Sequence, residues 1–303
     1  MRRLEFLGFI RPDGSVGARN SVLIISADPG VDRLCVNVAD SVLGAVPVQC
    51  WPEKNRSIEI FSDLVKNPNV AGAVVVEPVS GGAGEMIIDA MAQMGRPAEL
   101  ITVSGSGGII EANARAVRSA MLMTREASTL RRQATLLSRL MVGLIYEGNS
   151  GTGDLLYYCV NSLVENNGRV VIAKRVADKK DKINKCPVVK KLGAGGKVDR
   201  DRGLYEIECA RNQHDTLIEM AAKGVQLVVA ASGGPYPAAH SIVPVINVTA
   251  SKNYYESLRD NIEIYLDGLD YERFKAEDFS LLIVNEIIAT ASGKLTKAEI
   301  LKF

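Results

Sequence analysis

The chain has 303 residues, 47% of them apolar and 23% charged, and its 36 basic and 35 acidic residues leave a net charge of +1. This is the composition of a soluble globular protein with a substantial core, and the charge balance gives no electrostatic case for nucleic acid or an anionic membrane surface. One Trp and 5% aromatic residues argue against a base-stacking platform, and no apolar run reaches the length of a membrane span.

In chain order, residues 4–10 read as a short strand and Arg11-Pro12-Asp13-Gly14 as a tight turn. Ser21 to Ser26 has the unbroken apolar character of a buried parallel strand. A helix is expected around Cys35, a strand at 45–48, and a second helix from Asn55 to Lys66, stopped by Asn67-Pro68-Asn69. The strand 73–76 leads into Ser80-Gly81-Gly82-Ala83-Gly84 and a helix to about Met94. The strand 100–103 ends in Ser104-Gly105-Ser106-Gly107-Gly108. From Ile109 to about Ser138 the pattern is that of one long helix, carrying a row of arginines on a solvated face. The strand 141–146 precedes Gly148 to Asp154, a helix around Cys159 and a strand at 169–173. Residues 178–202 then read as a long Lys-rich loop, either a lid or an insertion. Helices dominate from Asn253 onward, ending in a capping-box start at Thr296 and Glu299.

Two stretches repeat one another. Val70 to Ala83 parallels the segment starting at Gly224, Cys35-Val36-Asn37 parallels Cys159-Val160-Asn161, and 99–104 parallels 243–249, all in the same order. Alternating strands and helices at this spacing give an α/β fold. The reading is of two Rossmann-like or flavodoxin-like parallel-sheet halves related by internal duplication, 1–138 with the long linking helix and 139–303 with the C-terminal helices.

The chemistry is expected at the Ser/Gly turns, because glycine lets backbone N–H groups approach an anion and such turns end parallel strands. A cleft at the junction of the halves would be lined by Ser80, Gly81, Gly82, Ser104, Ser150, Gly151, Ser232 and Gly233. The alternative is that glycine merely permits tight turns. Neither a Walker A lysine nor a GxGxxG fingerprint is present. Only two histidines occur, so an all-His metal site is excluded. His240 precedes a strand near a glycine turn and is a catalytic candidate; His214 reads as a surface residue at a helix start. The acid/base candidates are Glu77, Glu85, Glu147 and Asp154, although Asp154 would also serve as a helix N-cap. Arg19, with Asn20 beside it, either forks onto a substrate carboxylate or anchors its own turn. Five cysteines without CxxC spacing, and an N-terminus without a signal peptide, give the expectation of a reduced, cytoplasmic protein.

Gly8 to Asn20 resembles the "GYxRxDGRVGTRN" opening of the main domain of altronate and galactarate dehydratases. Asn67 to Val76 is similar to their "HPNVAGALVV", Met141 to Leu144 to their "VVGL", Pro235 to Thr249 to their "TPTGSPIAPVIKVT", and Asp260-Asn261-Ile262 to their "DNID". The resemblance runs in consistent order over nearly the whole chain. It implies a hydro-lyase that removes water from an aldonate, aldarate or related hydroxy acid, with a divalent metal. It also implies a homo-oligomer and a separate small-domain subunit. The chain departs from the pattern where metal ligands are expected. The family's "CGGSD" cysteine falls at Tyr146, its "VGLGCE" motif reads Glu77-Pro78-Val79, and only Cys50 remains near its His-Gly-Cys segment. The chain is thus either a lyase or a catalytically divergent acid-binding or assembly subunit.

Overall fold

The structure is a computed structural model that describes residues 4–49, 54–147, 152–176, 182–193, 196–199, 201–210, 212–231, 236–266 and 276–301. The chain forms two compact units, one of residues 9–133 and one of residues 1–8 with 134–303.

The 9–133 unit opens with the end of β1 (Glu5–Ile10), which turns back to pair antiparallel with β2 (Val16–Gly17), Phe9 opposite Gly17. Four parallel strands follow: β3 (Ser21–Ser26), β4 (Ala45–Val48), β5 (Val70–Glu77) and β6 (Ala98–Thr102), in the order β4-β3-β5-β6. Between them run α1 (Asp32–Ser41), α2 (Lys54–Leu64) and α3 (Gly84–Gln93), and α4 (Ile109–Thr129) closes the unit. Both faces of the sheet are apolar, which is why β5 is buried at every residue. One face packs Val22, Ile24, Val74, Val76 and Ile101 against Leu34, Cys35 and Val38 of α1 and Ala112, Ala116 and Ala120 of α4. The small residues at 112, 116 and 120 recur every four positions and let α4 lie close to the sheet. The other face carries α2 and α3, with Ile87 and Met91 fully buried.

The second unit contains β7 (Gln133–Leu136), whose strand opens at the boundary, then β8 (Met141–Glu147), β9 (Arg169–Val176), β10 (Val188–Leu192), β11 (Gly203–Ile207), β12 (Leu227–Ala231), β13 (Val245–Thr249) and β14 (Ile264–Tyr265). Seven of these form a parallel sheet in the order β10-β11-β9-β8-β12-β13-β14. Its helices are α5 (Gly153–Glu165), α6 (Gln213–Ala222), α7 (Lys252–Leu258), α8 (Ala276–Ala291) and α9 (Lys297–Leu301). Thr296 and Glu299 form the capping box of α9, the carboxylate accepting from the Thr296 amide at 2.8 Å.

The inner strands of the two units share one order. Leaving out β10 and β11, which extend the second sheet beyond β9, each unit places its second strand on one side of its first and its next two on the other: β4-β3-β5-β6 and β9-β8-β12-β13. This is the doubly wound arrangement of flavodoxin-like sheets. Residues 73–76 and 227–230 lie in the third strand of each, and Cys35 and Cys159 in the first helix.

Two expectations change. The helix from Ile109 ends at Thr129 rather than near Ser138. The Ser128 and Thr129 hydroxyls donate to the carbonyls of Arg125 and Glu126 at 2.7 Å each, closing the last turn, and the chain is extended again by β7. Residues 188–192, inside the stretch read as a long loop, form the edge strand β10, and β11 follows it at 203–207. Glu206 is clamped there by Lys174 at 3.0 Å and Lys191 at 3.2 Å, across three adjacent strands. Cross-strand pairs of opposite charge hold a polar strand that apolar periodicity does not reveal.

Candidate functional site

The best-matched sequence segments fold onto one another at the amino-terminal edge of the 9–133 sheet. Arg11 is buried and spreads its guanidinium over three acceptors: Nε donates to Pro68 O at 2.7 Å, Nη1 to Asn20 Oδ1 at 2.6 Å and Nη2 to Arg19 O at 2.8 Å. Asn69 Oδ1 accepts the amides of Ala18 and Arg19 at 2.8 and 3.1 Å. Arg96 Nη1 donates to the carbonyls of Asn67 and Val70, and its Nη2 reaches Asp13 Oδ2 at 3.0 Å. Burial and the nearby Arg96 push the Arg11 guanidinium down to about 9. Asp13 is held below the usual carboxylate range: burial works against this, but two hydrogen bonds from Ser15 and the Arg96 charge outweigh it. A Cβ on Gly17 would stand 2.8 Å from Arg19 O and 3.0 Å from Arg11 Nη2, so only glycine fits inside this latch.

Asn20 spends its side chain within the latch, accepting from Arg11 and donating to Ala127 O at 2.7 Å. Arg19 is buried and donates from Nη1 to Ala18 O at 2.9 Å. Both residues precede β3, whereas Ser80, Gly81, Gly82 and Ser104 follow β5 and β6 at the opposite edge of the same sheet. A strand of six residues separates the edges by roughly 20 Å. Arg19 and these turns therefore do not converge on one small acid.

The carboxyl edge of this sheet consumes much of its own polarity. In the turn after β6 the amides of Gly105, Ser106, Gly107 and Gly108 donate to Thr102 Oγ1, Thr102 O, Ser104 O and Val103 O. Glycine there permits the turn rather than a ligand. At the end of β5, Glu77 is buried and its Oε2 accepts the Gly84 amide at 3.2 Å, at the start of α3. Ser80, Gly81 and Gly82 are exposed.

The other sheet presents a different carboxyl edge. β8 and β9 run in register to Tyr146 opposite Lys174, but Glu147 then pairs with Val176, so Arg175 is an extra residue in a bulge. Bulges re-aim side chains. Arg175 Nε lies 3.8 Å from Glu147 Oε1, and Nη2 donates to Ala210 O at 3.0 Å. Half-buried Cys209 stands beside this pair. Burial raises its thiol pKa; Arg175 acts the other way, and Glu147 and Glu219 add to the rise. Glu147 belongs to the first strand of the doubly wound order, next to the third strand, where such sheets change direction and take ligands.

Asp154 lies in the first turn of α5, where Thr152 rather than Asp154 holds the N-cap position. Its carboxylate pairs with Lys182 Nζ at 2.9 Å in the open. His240 is half-buried in the segment between β12 and β13. Its Nδ1 accepts the amides of Ile242 and Val243 at 3.1 and 3.2 Å, which places the neutral ring's proton on Nε2. Burial, aided by the charge of His214, pushes the ring down to about 3. The ring is thus neutral at neutral pH and offers Nε2–H as a donor. His214 stands exposed in the first turn of α6. Ser150, Gly151, Ser232, Gly233 and Cys50 lie outside the described residues. Sequence reasoning missed Arg175 and Arg96; the only signal for Arg175 was a cation directly after an apolar strand.

Residues 8–128 match the second domain of the D-galactarate dehydratase/altronate hydrolase family, and residues 166–303 match the C-terminal domain of D-galactarate/altronate dehydratases. The chain belongs to the galactarate/altronate dehydratase family. This dehydratase-family chain is also 28% identical over 147 residues to the beta subunit of a (2R)-sulfolactate sulfo-lyase from Chromohalobacter salexigens, a match covering 45% of this chain and 36% of that protein. Two solved structures align over 93% of the chain and 92% of their own: an S. aureus MnaA–UDP co-structure, 10% identical with a TM-score of 0.29, and a putative UDP-N-acetylglucosamine 2-epimerase from Listeria monocytogenes, 9% identical with a TM-score of 0.31. At these scores they bear on neither fold nor chemistry. No helix among the described residues is long and apolar enough to cross a membrane.

The family resemblance implies a divalent metal, and the described donors do not fit one. Among the described residues no group of three or more His, Cys, Asp or Glu is placed to hold an ion. Tyr146, at the family's cysteine position, is buried at the end of β8. Burial pushes the Cys35 and Cys159 thiols up to about 12, and a thiol must ionise to ligate.

Proposed function

We propose that this chain is the large subunit of a carbon–heteroatom lyase acting on a small carboxylic acid that bears a β leaving group, a hydroxyl in the dehydratases or a sulfonate in the sulfo-lyase. The observation that carries the reading is the β9 bulge, which sets Arg175 beside Glu147 at the carboxyl edge of the second sheet. A guanidinium forks onto a carboxylate and disperses the charge that builds up when the α-proton leaves. Glu147 is the base in this reading. It takes the proton from Cα, the C–H electron pair becomes the new double bond, the β C–O bond breaks, and the same carboxyl returns the proton to the departing hydroxide as water. His240, with its proton on Nε2, serves as a neutral donor to the substrate, and exposed Asp154 has the lesser role of orienting Lys182. The beta-subunit relative supports a separate small partner subunit for this chain.

The test is turnover of aldonates, aldarates and sulfolactate by the purified chain with and without its small partner and added divalent ions, followed as 2-oxo acid or sulfite. Glu147→Gln is expected to lower kcat about 100-fold or more, and Arg175→Lys to raise KM for the acid while kcat changes less. Full turnover in Glu147→Gln removes this carboxylate from the mechanism. A second reading, an acid-binding subunit without turnover, is favoured by Tyr146 at the family's cysteine position; saturable acid binding with no product under any of these conditions would establish it.

A further inference from the structure

The end of β5 holds a buried carboxylate that the proposed reaction does not use. Glu77 is 2% exposed, and its Oε2 accepts the amide of Gly84, the first residue of the ten-residue helix α3. The helix has no side-chain cap from its own N-cap residue, Ala83. A Cβ on Gly82 would stand 2.5 Å from Oε2, and one on Gly84 would meet Leu100 Cδ1 first and Oε2 at 3.0 Å. The other oxygen, Oε1, is buried without a hydrogen-bond partner.

We propose that the 80–84 turn is a carboxylate-binding site whose resident ligand is the chain's own Glu77. Helix N-termini with glycine at close approach bind anions, because backbone N–H groups and the helix dipole converge there. A capping-box carboxylate reaches back from the third position of its own helix, three residues after the cap. Glu77 instead reaches in from a strand, seven residues before Gly84, and leaves one oxygen unsatisfied. Its carboxylate occupies the place of a free acid and shuts that acid out of this turn. In the other unit the corresponding last residue of the third strand is Ala231, which offers no such group. The inference does not depend on the reaction proposed above.

The test is chemical rescue. In Glu77→Ala the cavity opens, and Ser80, Gly81 and Gly82 are exposed, so a small ion reaches the turn from solvent. Hydrogen exchange at Gly84 and the following amides of α3 is expected to quicken about tenfold or more in chloride, the cost of losing a charge-assisted hydrogen bond. Sodium formate at equal ionic strength restores the slow exchange, and formamide does not. Glu77→Gln, which keeps the cavity filled, is expected to show no formate effect. Should Glu77→Ala fold only when formate is present, that is the same positive result. Equal exchange in formate and chloride, equal rescue by formamide, or failure to fold in both buffers while Glu77→Gln folds overturns the proposal.

Discussion

His240 provides a direct test of how this fold handles a half-buried imidazole. Replacing it with Asn keeps an acceptor, Oδ1, close to where Nδ1 now receives the amides of Ile242 and Val243, but abolishes titration. The folded ring is pushed down to about 3, against an ordinary value of about 6.5 in the unfolded chain. Below about pH 6.5 the unfolded state therefore binds a proton that the folded state refuses, and stability falls as pH falls. Integrating from pH 7 to pH 5 gives a loss of about 2 kcal/mol from this one group. That figure is a ceiling, because part of the ring's edge remains at the surface. His240→Asn is expected to match the wild type at pH 7 within about 1 kcal/mol and to lack this part of the acid limb. His240→Leu, which removes the acceptor, is expected to lose about 1–3 kcal/mol already at pH 7. Urea unfolding of all three proteins at pH 7, 6 and 5, followed by circular dichroism, provides the comparison. The argument is refuted if the Asn variant keeps the wild-type slope, or if it is as unstable at pH 7 as the Leu variant.

The latch at the amino edge of the 9–133 sheet yields two further expectations. Gly17→Ala drives a Cβ onto Pro68 O and Arg19 O, so unfolding of that unit should occur at markedly lower urea, a loss of about 3 kcal/mol. Asp13→Asn should destabilise at pH 7. Because the Asp13 carboxyl is held below its usual range, its contribution is full above about pH 4 and disappears as pH falls through the lower folded value, so wild type and variant should converge in acid. Denaturant midpoints measured from pH 7 to pH 3 decide it.

Sequence reading found the strands with unbroken apolar runs, 21–26, 73–76, 141–146 and 169–173, and also the shorter or more polar ones at 4–10, 45–48 and 100–103. The α/β class with parallel sheets was legible because strands, glycine turns and helices recur at regular spacing; the strand order was not. What escaped is long-range. β10 exposes Val189, Lys190 and Lys191 and is held by Glu206 on its neighbour, so no local period marks it. Arg96 meets Asp13 across 83 residues of sequence. The bulge that turns Arg175 toward Glu147 is a mismatch of register between two strands, which neither strand shows by itself. Composition identified the glycine turns but not that the 104–108 turn spends its amides internally, nor that Glu77 stands at the start of α3.

The position of the latch bears on how far resemblance speaks for function. Residues 11–20 and 67–69 carry part of this chain's resemblance to the family, and with Arg96 they sit where strands begin, at the end of the sheet opposite the one where α/β sheets take ligands. Their hydrogen bonds clasp the turn before β3 to the residues that lead into β5, so they serve the fold. Likeness at these residues therefore reports the fold of the 9–133 unit and is silent on the reaction. The side chains of the proposed chemistry, Glu147 and Arg175, stand instead at strand exits.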